Sequence, residues 1–151
     1  MRLAIFCLCI SGCLADVSPD VGPPVRERCV NEDSDPGKDV SFGDDILRGI
    51  FGRSPGYGGV GCGCHNPASP SPIGFEIGGL ELTSYQSLRA GGVNSGASVV
   101  VPGDACASVI VQKVGDGPPF GARMPFSGPP FLSTDDQQVI RDWIVEGALD
   151  N

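Results

Sequence analysis

A chain of 151 residues with a net charge of −8 at pH 7 has room for one small domain and a tail. That balance excludes phosphate-backbone recognition, which needs clustered Lys and Arg, so no nucleic-acid partner is expected. An acidic surface serves solubility, or speeds encounter with a basic protein partner. Glycine (23) and proline (14) make up about a quarter of the chain, yet the apolar content is ordinary. A domain of this kind is expected to need an internal staple: a metal, a cofactor or a disulfide.

The N-terminus runs Met1-Arg2, then apolar from Leu3 to Ile10, then Ser11-Gly12-Cys13. A positive charge, a short apolar core and small residues make an export signal. The run is too short to span a bilayer. Ile10-Ser11-Gly12-Cys13 resembles a bacterial lipobox, which implies lipidation of Cys13 and a membrane anchor; ordinary cleavage nearby is the other reading. Either places the domain outside the cytoplasm, in the cell envelope, where disulfides survive. Residues 1–12 are read as the signal, and Cys7 and Cys9 leave with it. Residues 13–40 are acidic, carry Pro19, Pro23, Pro24 and Pro36, and read as a tether. The domain is expected over 41–151.

Within it, Ser41 to Phe51 is the first predicted helix. Ser41 can cap it, Asp44 and Asp45 suit its positive end, and Phe42, Ile46 and Ile50 form one apolar face. Gly43 and Gly49 weaken it, so packing or a cofactor must hold it. A glycine-rich stretch from Gly52 to Gly61 follows. Pro67, Pro70 and Pro72 argue against regular structure after His65. Leu80 and Leu82 suggest a short extended piece, and Thr83 can cap a helix through Ala90 that Gly91 ends. Val99 to Val101 is a second extended run, and Asp104 can cap a helix from Ala105 to about Val114. Residues 115–132 are rich in Pro and Gly and contain Arg123-Met124-Pro125. The last helix is the strongest: Thr134 with Gln137 gives a capping-box pattern, and Val139, Ile140, Trp143, Ile144 and Ala148 give an apolar stripe.

The chemistry gathers at Val60-Gly61-Cys62-Gly63-Cys64-His65-Asn66-Pro67, which holds the chain's one histidine. It is one residue short of C-x-x-C-H, the pattern for covalent haem attachment. In that chemistry two thiols join the haem vinyls and the histidine ligates iron, commonly with a methionine opposite. His65 is the sole imidazole, and Met124 is the sole methionine besides Met1.

Six segments in order, SFGDDILRGIF, CGCH, GGLELTSYQSLRAGG, VVVPGDACASVIVQKV, RMPFSGPPFLSTDD and VIRDWIVEGAL, cover Ser41 to Ala148. In this order the chain resembles a monohaem class I cytochrome c, and more narrowly the cytochrome c-like domains of secreted bacterial proteins. The resemblance implies a mainly α fold, a small helical domain with long Gly/Pro-rich loops and short extended segments. It implies one haem c, attached through Cys62 and Cys64, with His65 and Met124 as axial ligands. Arg123 is a candidate propionate contact. Pro67 matches a position near which a backbone carbonyl holds the histidine ring. Ile50, Phe51, Leu80, Trp143 and Ile144 are candidates for the haem wall. The implied activity is electron transfer with a redox partner protein, and no enzyme activity.

The departure is Gly61, where the family has its first cysteine. Residues three apart share a helical face, whereas residues two apart point about 200° round from each other. Three outcomes stay open: attachment through both thiols on a distorted loop, attachment through Cys64 alone, or a domain that has lost haem. The last is a haem-free, disulfide-stapled envelope lipoprotein acting as an interaction module, with Cys29–Cys106 as its candidate disulfide. A zinc or copper site on Cys62, Cys64 and His65 is a further rival and needs a fourth ligand from Cys106 or Cys29.

Overall fold

A computed structural model describes residues 29–53 and 62–151. The expected signal, Cys13 and Gly61 lie outside them. Among the described residues the fold is mainly helical and contains no strand. Helix α1 spans Phe42–Phe51, α2 Ile73–Gly78, α3 Tyr85–Ala90, α4 Val109–Val114 and α5 Thr134–Val145. Short 3₁₀ turns cover Asn31–Asp33, Gly63–His65 and Gly96–Val99.

Ser41 caps α1, its hydroxyl accepting from the Asp44 N–H at 3.2 Å. The helix is wound as a π-helix: Ile46 N–H donates to Ser41 O at 3.2 Å and Gly52 N–H to Leu47 O at 2.8 Å, both five residues back. Glycine makes the wide turn possible, since a Cβ on Gly49 would sit 3.0 Å from Asp44 O. The broad turn keeps Phe42, Ile46, Ile50 and Phe51 together on the buried side.

Several elements begin elsewhere than the sequence suggests. Helix α2 follows Pro72 directly, because a proline ahead of a helix costs no hydrogen bond. Ser84, not Thr83, caps α3, and its hydroxyl and backbone exchange hydrogen bonds with Ser87. Gly91 (φ 73°) ends that helix, and a Cβ there would collide with Gly96 O. Asp104 accepts from Ala107 N–H at 2.9 Å, but this stabilises a turn and the helix starts at Val109. Ser133, not Thr134, caps α5 at 3.0 Å from Asp136 N. Val99 closes a 3₁₀ turn, and the extended backbone begins at Val100.

The core joins α1 to α5. Phe42 lies 5.4 Å from Tyr85 and 5.4 Å from Trp143, centroid to centroid. Trp143 is fully buried, and its indole N–H donates to Leu149 O at 2.9 Å. Tyr85 donates its hydroxyl proton to Ala148 O at 2.9 Å.

The described part of the expected tether, residues 29–40, packs on this core. A disulfide joins Cys29 to Cys106. Asn31 accepts from Cys106 N–H at 3.0 Å and donates to Asp104 at 2.9 Å. Asp35 N–H donates to Asp142 at 2.9 Å, and Val40 N–H to Glu146 at 2.9 Å. The segment is a strap because the domain supplies acceptors for its backbone, which an acidic, proline-bearing composition does not reveal.

Candidate functional site

A cavity of about 390 Å³ opens beside the far end of α1. Phe51, Leu80, Leu82, Val99, Ile110 and Leu132 contribute to a wall that is almost wholly apolar. Cys62, Cys64, His65 and Met124 all line it, so the structure brings together the attachment and axial residues read from the sequence. Of the five proposed wall residues, Phe51 and Leu80 face the cavity. Ile50, Trp143 and Ile144 are instead part of the filled core, since their stripes face α1 and α5 rather than the opening.

His65 is positioned by backbone on either side. Cys62 N–H donates to Phe51 O at 3.0 Å, His65 N–H to Cys62 O at 2.9 Å, and Leu82 N–H to His65 O at 3.1 Å. The ring is fixed too: Nδ1 lies 3.0 Å from Leu80 O, a carbonyl that can only accept, so Nδ1 carries the proton. The holding carbonyl thus belongs to Leu80 and not to the neighbourhood of Pro67. Nε2 is left as the lone-pair nitrogen of a ring that lines the cavity. Burial holds His65 below its ordinary value, opposed by the Leu80 hydrogen bond and assisted by the Lys113 charge. A neutral imidazole with a fixed tautomer is the form that ligates metals.

The two thiols are free. Burial, and then the neighbouring Cys64, push Cys62 up to about 12, so it remains a protonated thiol. Gly74, on α2, packs against the imidazole: a Cβ there would lie 3.0 Å from both Cε1 and Nε2. Among the described residues no group of three or more His, Cys, Asp or Glu is gathered to hold a metal ion, and Cys29 and Cys106 are committed to each other. Among the described residues, Cys62, Cys64 and His65 thus gain no fourth ligand from Cys29 or Cys106.

Met124 sits in the loop after α4. Its N–H donates to Lys113 O at 2.7 Å. Arg123, the candidate propionate contact, is engaged elsewhere. Its Nε donates to Val114 O at 2.9 Å, Nη1 pairs with Asp116, and the guanidinium lies 4.2 Å from the Phe131 ring centroid. It does not line the cavity, and its work is to hold the methionine loop. Sequence reasoning missed Gly74, the Leu80 carbonyl and Lys113, which lines the cavity. Of these, only Lys113 carried a local signal, as the last polar residue before the Gly115 stop.

No protein-family model, no curated protein and no solved structure matches this chain.

Proposed function

We propose that the chain is a monohaem c-type cytochrome that transfers electrons in the bacterial envelope, with His65 and Met124 as axial ligands. The observation that carries this reading is the imidazole: Nδ1–H tied back to Leu80 O at 3.0 Å, and Nε2 left free in a ring lining an apolar cavity that Met124 also lines. The residues fit the group. The wall is apolar, the nitrogen donor is neutral, and both thiols border the same space. When bound, haem iron supplies a one-electron couple whose potential a methionine thioether raises.

The chain's own residues then divide the work. Leu80 O orients His65, and Lys113 O positions Met124. Cys64, next to His65, would hold the group through a thioether, the addition of its S–H across a vinyl needing no oxidant. Cys62 is available for a second addition. The apolar wall excludes water and limits reorganisation on electron transfer.

Expression with a cytochrome c maturation system tests the reading. A Soret band that survives acid–acetone extraction is expected, and Met124→Ala should abolish the low-spin methionine-ligated spectrum and lower the potential. Absence of covalent haem would return the alternative, a haem-free interaction module, which the Cys29–Cys106 staple also suits.

A further inference from the structure

Lys113 is the one residue lining the cavity that carries a fixed positive charge, and no Asp or Glu lines it among the described residues. An ammonium has three N–H donors. Two of them are used at the wall, on Phe120 O at 2.8 Å and Ala122 O at 2.5 Å. The Phe120 ring lies 4.9 Å from Nζ, and a Cβ on Gly121 would be 3.7 Å away. Phe120, Gly121 and Ala122 themselves line the cavity, so the charge is held at its edge and not free to swing into bulk solvent. One N–H is left for a ligand. Burial lowers the Lys113 pKa, consistent with an ammonium that lacks full hydration. Arg123 does not take this part: it lies outside the cavity lining, with Nε on Val114 O and Nη1 on Asp116.

We propose that Lys113 is the anion contact of the cavity, pairing with a carboxylate on the rim of a flat, apolar tetrapyrrole. This rests on the cavity being a haem site, but not on how many thioether bonds form. In a chain of net charge −8, a carboxylate-bearing ligand is repelled over most of the surface. A cavity with no acid in its lining and one tethered ammonium at its edge orients such a ligand, apolar body inward and carboxylate toward Lys113. Lys113 acts on both ligand and site, because its own carbonyl also holds the Met124 backbone.

The test uses the full chain expressed without maturation machinery, titrated with protoporphyrin IX and with its dimethyl ester in the same detergent buffer. The two probes share the ring and differ in charge. The diacid should bind roughly fivefold tighter than the ester, the worth of a partly exposed charge pair. Lys113→Gln should remove that preference and Lys113→Arg should keep it. A purely structural lysine would weaken both probes together and leave their ratio unchanged. Equal binding of diacid and ester by the unaltered chain, or a preference that survives in Lys113→Gln, overturns the Lys113 assignment and leaves the cavity reading standing. If neither probe binds, the Lys113 assignment falls, and the Soret band of the matured chain decides the cavity reading separately.

Discussion

At one end of α1, Phe42 packs 5.4 Å from both Tyr85 and Trp143; at the other, Phe51 forms part of a cavity wall. The two ends use similar residues for opposite purposes. Around Phe42 the space is filled, and the buried polar atoms of Tyr85 and Trp143 find Ala148 O and Leu149 O. Around Phe51 the apolar surfaces stand apart, and the polar groups of His65 and Lys113 each keep one position in reserve. The filled end supplies the stability that lets the other end leave space unfilled, since tight packing and a ligand cavity cannot occupy the same volume.

Breaking the filled end should give the largest effect. Trp143→Ala removes a fully buried indole and leaves Leu149 O without its donor, a loss of about 5 kcal/mol in urea unfolding. Porphyrin affinity of the fraction that remains folded should be unchanged. Next comes the strap. Cys29→Ser with Cys106→Ser opens a link across 77 residues, and up to about 4 kcal/mol should be lost by thermal or urea unfolding. Reductant should reproduce the loss in the unaltered chain and add nothing to the double variant.

At the open end the changes in stability should be smaller and those in binding larger. Gly74→Ala places a methyl 3.0 Å from the imidazole and 3.1 Å from Cys64 O, so the ring must shift. The expected cost is about 1–2 kcal/mol of stability in the haem-free chain; in the haem-loaded form proposed above, the same shift would show as a changed histidine-ligation spectrum. The smallest effect is a pH dependence. His65 is held below its ordinary 6.5 by burial, opposed by the Leu80 bond and assisted by Lys113. Below pH 6.5 the unfolded chain takes up a proton that the folded chain refuses, so stability of the haem-free protein should fall as pH drops through that value. Above 6.5 this group contributes no slope. His65→Gln should flatten the slope by less than about 1 kcal/mol across one pH unit. A slope that persists in the variant would assign it to other groups.

What could be read from the sequence follows the range of the interactions. Ser41 capping α1, the 42/46/50 face and the α5 stripe are all local, and the sequence shows them within a residue or two. Cys62, Cys64 and His65 are adjacent in the chain, and Met124 stood out because the sequence has so few methionines. The helix caps slipped by one residue because Thr83-Ser84 and Ser133-Thr134 each offer two hydroxyls, and only the three-dimensional entry angle chooses between them. The setting of Arg123 was not legible, because its partners, Val114 O, Asp116 and Phe131, come together only when the loop folds back. The Leu80 carbonyl lies fifteen residues from His65 and has no side-chain signature at all. The strap was hidden for the same reason, since its acceptors on Asp142 and Glu146 lie more than a hundred residues along the chain.

The bond from Cys62 N–H to Phe51 O closes the chain back onto the residue where α1 ends, and the bond from Leu82 N–H to His65 O secures the far side of the cluster. Whatever connects Gly52 to Cys62 therefore enters and leaves through a fixed doorway. The doorway is thus set by backbone hydrogen bonds alone, and these keep His65 in register with the end of α1 whatever side chains Phe51, Cys62 and Leu82 carry.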